Sequence, residues 1–255
     1  MKPAEHAIRI LVDPPAAGAW NMAVDEVLLA RAAEQGEAVL RLYRWTPATL
    51  SLGYFQQAAE RETHAASRDC TMVRRSSGGG AIVHDHELTY SLSLPITHPA
   101  AADPETLYRQ THGLLLRTLA EFGIEAKLNE KTLVPLGGEP FLCFQRRSVG
   151  DVIVGAYKVC GSAQRRRKGA ILQHGSILVA ASPHAPELLG LAELTANGPS
   201  LDDLQASFLA GWRRWSQESG LPAPVPFDGL TADDFSEVER VQETQYGSTA
   251  WTNRK

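Results

Sequence analysis

Val73-Arg74-Arg75-Ser76-Ser77-Gly78-Gly79-Gly80-Ala81-Ile82-Val83-His84-Asp85 is the stretch from which the rest of the chain can be read. Three consecutive glycines remove every Cβ from a short segment and admit positive φ, so a ligand can lie against bare backbone. Two arginines precede them, and guanidinium forks suit a phosphate or a carboxylate. The plain alternative is a flexible surface turn beside a solvated arginine pair. The flanks argue against it: residues 70–74 enter as a strand-like run and residues 81–83 leave as another, so the glycines join two ordered elements.

Upstream, residues 7–12 read as a strand closed by Asp13-Pro14-Pro15. A helix follows from Asn21, with Asn21 as its N-cap, Asp25 and Glu26 near its positive end, and Gly36 as its stop. Residues 38–45 and 49–53 read as strands, and a helix after Gln56 delivers the chain to the glycines. Downstream, strict alternation over residues 87–94 predicts a half-buried strand, and leucine spacing predicts a helix over residues 104–122. Residues 152–160 read as a hairpin turning at Gly155-Ala156, and residues 169–179 as a strand interrupted by Gly175, a sign of a bulge or close approach. Residues 186–191, 201–215 and 231–244 read as helices, with Thr231 or Asp233 near the last cap. The proline-rich residues 221–227 read as a linker, with too little chain beyond them for a second core.

The 255 residues are 44% apolar, with a formal charge of −4. They suffice for one large α/β domain, and the charge balance speaks against a nucleic-acid binder. The one dense basic run, Arg165-Arg166-Arg167-Lys168, is either a solvated loop or a docking patch for an acidic protein. Cys70, Cys143 and Cys160 are an odd count without framework spacing, which fits a reducing compartment. No apolar leader and no 18-residue apolar run is present, so the expectation is a soluble cytoplasmic protein with no membrane role.

Two residues stand out chemically. Cys143 lies in the apolar quartet Phe141-Leu142-Cys143-Phe144, beside Arg146 and Arg147. A cysteine in such company is either a buried hydrophobe or, with positive charge near it, a thiolate nucleophile. Lys158 sits on the hairpin, where alternation puts it on one face with Cys160. Facing the core, that lysine destabilises the fold unless it is paired. Cys160 is thereby a competing nucleophile. His84 and His174 are either hydrogen-bonding residues or proton carriers, and His84 with His86 falls short of the four ligands of a closed metal site.

These motifs together resemble the lipoate/biotin protein ligase family. The resemblance is carried by Arg74-Arg75-Ser76-Ser77-Gly78-Gly79-Gly80-Ala81 with His84-Asp85, by Gly155-Ala156-Tyr157-Lys158 with Gly161-Ser162-Ala163-Gln164, and by Gln173-His174-Gly175-Ser176. Asn21-Met22-Ala23, Asp25-Glu26 and residues 246–254 extend it along nearly the whole chain. It implies an α/β (α+β) fold, mixed sheets flanked by helices, over residues 1–255 as one catalytic domain without a C-terminal accessory domain. It also implies an enzyme that places an octanoyl or lipoyl group on a lysine of a carrier domain. The lysine matching Lys158 contacts the acyl carbonyl. Arg74, Arg75, Ser77, Gly78, Gly79, Gly80, Ala81 and His84, with Gly161, Ser162, Ala163, His174 and Gly175, are the implied substrate-binding positions.

Two branches of the family demand different chemistry. A ligase activates a free carboxylate with ATP and magnesium through an acyl-adenylate. A transferase takes the acyl group from a thioester on acyl carrier protein, needs no cofactor, and requires a nucleophile to hold it. The cysteine-dependent octanoyltransferase branch resembles this chain in placing a Cys-Phe step, here Cys143-Phe144, shortly before the lysine hairpin. That resemblance favours protein N-octanoyltransfer through a Cys143 acyl-enzyme, with octanoyl-acyl carrier protein as donor. The implied acceptors are lipoyl domain proteins: the glycine cleavage H protein and the acyltransferase subunits of 2-oxoacid dehydrogenases. An ATP-dependent lipoate-protein ligase, a carrier-to-carrier lipoyl amidotransferase and a non-catalytic binder of acyl carriers are the alternatives. A biotin ligase is disfavoured, since the glycine-arginine loop of that branch is absent.

Overall fold

The computed structural model describes residues 6–136, 138–167 and 169–254. Lys168 of the basic run and Gly137 of the expected Gly137-Gly138 loop lie outside them. The chain runs through strand β1 (Ile8–Val12), helix α1 (Gly18–Gln35), β2 (Ala38–Tyr43), β3 (Thr49–Leu52), β4 (Thr71–Arg74), β5 (Ile82–His84) and β6 (Glu87–Pro95). There follow α2 (Pro104–Glu121), β7 (Ala126–Leu128), β8 (Val152–Val154), β9 (Tyr157–Arg167) and β10 (Ala170–Leu178). The last elements are α3 (Leu191–Leu194), α4 (Leu201–Glu218), β11 (Val225–Pro226), α5 (Ala232–Val241), a π-helical turn (Gln242–Tyr246) and α6 (Thr249–Thr252).

Eight strands form one mixed sheet in the order β11-β1-β2-β6-β10-β9-β8-β7. β11, β1 and β2 pair in parallel, and the rest of the sheet is antiparallel. A smaller sheet, β4-β3-β5, carries the glycine loop between its two outer strands. Helices α2 and α4 pack together over one face of the large sheet, where Leu88, Tyr90, Leu92, Phe208 and Trp212 join the main core. Helices α1 and α5 cover the other face around Val24, Val27, Val39 and Val238. This is the α/β architecture of mixed sheets and flanking helices that the motifs imply.

Covering both faces changes what alternation means. β6 is buried along its whole length and not half-buried, because α1 lies over the face that carries Thr89 and Ser91 and supplies polar partners there. Ser91 donates to Asp25 at 2.7 Å, and Trp45 donates its ring N–H to Thr89 at 2.7 Å. α1 itself starts four residues earlier than expected, with Ala17 in place of Asn21 at the N-cap position. Asn21 is therefore inside the helix, where its side-chain amide donates to the carbonyls of Ala16 and Arg44 and its oxygen accepts from Arg41. Asp25 lies too far along α1 to answer the helix dipole and instead takes the buried Arg41 guanidinium at 2.9 Å and the Tyr43 hydroxyl at 2.9 Å.

Four further expectations are corrected. The segment after Gln56 makes two 3₁₀ turns in place of a helix. Residues 186–190 are turns, and the helix there is the short α3. The proline-rich segment contributes β11, which extends the sheet beside Arg9 and Ile10. β10 runs unbroken through Gly175, where the close approach is made by the protein: a Cβ there would stand 2.3 Å from Ser162 Oγ and 2.7 Å from Tyr90 Cε1. No described helix is long and apolar enough to cross a membrane.

Candidate active site

The glycine loop is fixed from below by its two arginines, which do different things. Arg74 is fully buried, and its guanidinium donates to the carbonyls of Gly53, Tyr54, Gln56, Thr252 and Arg254. No donor remains for a ligand, so Arg74 ties the final residues to the loop base and lines no acyl pocket. Arg75 donates to the Ser51 carbonyl at 2.9 Å and to those of Gly78 and Gly80 at 2.8 and 2.7 Å, closing the loop on itself. Burial without a carboxylate partner brings its pKa down to about 10, against the pull of the nearby Cys143.

The loop is then stitched to the cysteine. Ala81 N–H donates to the Phe141 carbonyl at 2.9 Å, and Cys143 N–H donates to the Ala81 carbonyl at 2.8 Å. Gly80 makes that approach possible, since a Cβ there would stand 3.1 Å from both Cys143 N and the Phe141 oxygen. Gly79, at φ +93°, brings bare backbone up to the same site: a Cβ there would stand 3.1 Å from Arg75 Nη2 and 4.0 Å from Cys143 Sγ. Gly80 and Ala81 thus position the cysteine backbone, and only Arg75, Gly78 and Gly79 of the loop reach the cavity.

Cys143 opens a 3₁₀ turn (Cys143–Gln145) and is half-buried. Lys158, on β9, places Nζ 3.8 Å from Cys143 Sγ, 3.0 Å from an Asp151 carboxylate oxygen and 5.1 Å from the centre of the Phe144 ring. Asp151 is buried and also accepts from the Tyr108 hydroxyl at 3.0 Å and the Ser148 N–H at 2.6 Å. The carboxylate is thus satisfied on several sides, and its pairing with Nζ offsets the cost of burying the ammonium. Gly161 lets the lysine lie flat, because a Cβ there would be 2.3 Å from Lys158 Cε.

The expected shared face of Lys158 and Cys160 is absent. Val152 faces Cys160 while the adjacent Ile153 faces Lys158, so β9 carries one extra residue and the alternation breaks. Cys160 turns into the main core, its sulfur 3.9 Å from His112 Nε2, and burial pushes its thiol well up. It lines no part of the cavity.

A cavity of about 300 Å³ joins these groups. Met22, Trp45, Ile82 and Phe144 supply its apolar lining, and Gly161, Ser162, Ala163 and Gly175 supply strand backbone or small side chains. His84 and His174 also line it, but both are committed. His84 bonds Ser51 Oγ at 2.7 Å and Glu87 at 2.6 Å while stacking on Trp45 at 3.8 Å. His174 bonds the Ser77 hydroxyl and lies 3.8 Å from Asp25, and burial holds its pKa below the usual imidazole value. Neither hydrogen-bonds Cys143 or Lys158, so both shape the walls. Ser77 reaches the site only through His174. Among the described residues no three His, Cys, Asp or Glu side chains gather as metal ligands.

Asp151, Tyr108, Trp45 and Met22 are site residues that sequence reasoning missed. Asp151 had a signal: a hairpin lysine facing inward needs an anion, and Asp151 is the acid at the start of the same hairpin. The basic run is partly neutralised, since Arg165 and Arg167 both pair with Glu26.

The sequence profile of the lipoyl protein ligase A/B catalytic domain matches residues 17–190. Octanoyltransferase LipM of Brevibacillus brevis is 31% identical to this chain, over 97% of it and 99% of the relative. Octanoyltransferase LipM of Bacillus subtilis is also 31% identical, over 94% and 95%. Among solved structures, a lipoate-protein ligase A bound with ATP superposes with a TM-score of 0.75 at 22% identity, covering 97% of this chain and 98% of that one, a likeness of fold. With the profile running through the glycine loop, the cysteine turn and the lysine hairpin, and with relatives above 30% identity along nearly its whole length, this chain belongs to the lipoyl protein ligase A/B catalytic domain family.

Proposed function

We propose that the protein is an octanoyltransferase that moves an octanoyl group from a carrier-bound thioester to a lysine of a lipoyl domain, through an acyl-enzyme on Cys143. The observation that carries this reading is the 3.8 Å approach of Lys158 Nζ to Cys143 Sγ at the edge of one cavity with apolar walls. The LipM relatives are octanoyltransferases by name, and they align across nearly the whole chain.

In the first half-reaction the Cys143 thiolate attacks the thioester carbonyl, the carbonyl π electrons move to oxygen, and the donor sulfur leaves as a thiolate that takes up a proton. Lys158 donates to the oxyanion while both C–S bonds are present. In the second, the neutral amine of the acceptor lysine attacks the acyl-enzyme carbonyl, Cys143 leaves as thiolate, and the amine sheds a proton to give the amide. Exchange of one thioester for another is nearly isoenergetic, and amide formation runs downhill. No nucleotide enters the balance.

Asp151 and Tyr108 hold the ammonium where both oxyanions form. The octanoyl chain lies along Gly78 and Gly79 and against Met22, Trp45 and Ile82. The acceptors under this reading are the H protein of glycine cleavage and the acyltransferase subunits of 2-oxoacid dehydrogenases.

The test is acylation of a purified lipoyl domain with octanoyl-acyl carrier protein, free lipoate or a lipoylated carrier as donor, each with and without ATP and magnesium. Transfer from the octanoyl carrier without ATP supports the transferase. Transfer only from free lipoate with ATP, surviving Cys143→Ser, replaces it with a ligase. Preference for the lipoylated carrier replaces it with an amidotransferase.

A further inference from the structure

A second, more open groove of about 470 Å³ meets the reaction centre from the other side of Lys158 and Phe144, both of which it shares with the acyl cavity. Its walls are Pro135, Pro140, Tyr157, Leu188 and Leu189, and they are apolar apart from the tyrosine hydroxyl. Besides Lys158, which is paired with Asp151, two charged side chains enter it. Glu187 is satisfied by His64 at 2.8 Å and Gln145 at 3.2 Å. Arg147 makes no side-chain hydrogen bond or ion pair with any described residue, whereas its neighbour Arg146 pairs with Glu139. The groove therefore offers largely apolar walls, a carboxylate already engaged by His64 and Gln145, and one cation, Arg147, without a partner among the described residues.

A thioester has two arms, and the site separates them. With the octanoyl chain in the inner cavity and the carbonyl between Cys143 and Lys158, the leaving sulfur and whatever carries it continue past Phe144. For a carrier thioester that arm is phosphopantetheine: two neutral amides, a branched dimethyl segment and a phosphodiester anion. Arg147 is four residues from Cys143, so at most about 14 Å of chain separates them. The extended arm is longer than this, so its phosphate can reach the guanidinium. An arriving acceptor lysine is a poorer match, because its positive charge would approach the unmatched arginine.

We infer that this groove is the binding site for the phosphopantetheine arm of the acyl donor, with Arg147 as the phosphate contact and the prolines and Leu188-Leu189 against the dimethyl segment. The inference rests on the thioester-donor reading above. It assigns Arg147 to donor selection and not to chemistry.

The experiment compares octanoyl-4′-phosphopantetheine with octanoyl-pantetheine, which differ only in the phosphate, as donors in single-turnover acylation of Cys143. Wild type, Arg147→Ala and Arg147→Lys are measured with both. The ratio of second-order rate constants, phosphorylated over unphosphorylated, should fall about tenfold in Arg147→Ala and less in Arg147→Lys, as for loss of a charge-assisted contact. Being a ratio within one protein preparation, it is independent of the folded fraction. An unchanged ratio overturns the assignment. So does an unchanged ratio with slower transfer from the acyl-enzyme to a lipoyl domain, which would give the groove to the acceptor. Failure of wild-type Cys143 to accept an acyl group from either thioester removes the donor reading itself, and is distinct from both.

Discussion

The Lys158 ammonium stands 3.0 Å from the Asp151 carboxylate and 3.8 Å from the Cys143 sulfur, so one buried cation serves an acid on one side and the candidate nucleophile on the other. Its pairing keeps it in place beside the sulfur, where the transferase reading has it donate to the reacting carbonyl. Lys158→Met keeps the length of the stem and removes the donor. The rate of octanoyl transfer should fall by about 10²–10³, as for loss of an oxyanion contact. Stopped assays on folded protein check this, and a loss under fivefold would remove the lysine from the chemistry.

Gly161→Ala tests the same relationship without touching a polar group. The added Cβ would stand 2.3 Å from Lys158 Cε and 2.5 Å from Nζ, the far end of a flexible side chain that can swing aside. Transfer should drop by about tenfold to a hundredfold, with the thermal midpoint shifted by no more than about 4 °C. Retained activity would show that the lysine need not lie flat across β9.

Arg74→Met probes the arginine that binds no ligand. Five carbonyls lose their donor, two of them, Thr252 and Arg254, in the final residues of the chain. With each unsatisfied buried carbonyl costing about 1–3 kcal/mol and partial rescue by water, the fold should lose on the order of 3–5 kcal/mol. Calorimetry should show the midpoint lowered by about 10 °C. A small shift would mean the terminal segment is held by Trp251 and Tyr246 alone.

The pH response follows from His112, which is buried between α2 and β9 and hydrogen-bonded to the Gly150 carbonyl and Ser162. Burial brings its pKa down from 6.5 to about 4. The unfolded chain then binds a proton that the folded one refuses, so this contribution to stability is complete above pH 6.5 and is lost as pH falls toward 4. The loss amounts to about 3 kcal/mol across that window. Urea unfolding at pH 7 and pH 4.5 measures it, and His112→Gln should flatten the slope there. An equally steep slope in the variant would place the proton elsewhere.

The sequence carried much of the fold, for reasons particular residues make clear. The glycine run, the leucine spacing of α2 and the hairpin turn at Gly155 are local signals, and each falls where it was expected. Thr89 and Ser91 look like solvent-facing residues because alternation cannot report that a helix covers the second face. Cys160 looked like a partner of Lys158 because a single bulged residue in β9 is invisible to a period of two. Arg74 and Arg75 are adjacent in sequence and alike in chemistry. Only the return of residues 252–254 to the loop base separates the clamp from the cavity residue. Asp151 was legible in principle through the demand of a buried lysine for an anion.

The covalent route is tested most directly by incubating the protein with octanoyl-acyl carrier protein without ATP, digesting it, and locating the acyl group by mass spectrometry. The expected result is an octanoyl thioester on the peptide containing Cys143, discharged when a lipoyl domain is added. An adduct on Cys160 or Cys70, or transfer to the lipoyl domain with Cys143 never acylated and replaceable by serine, would contradict it.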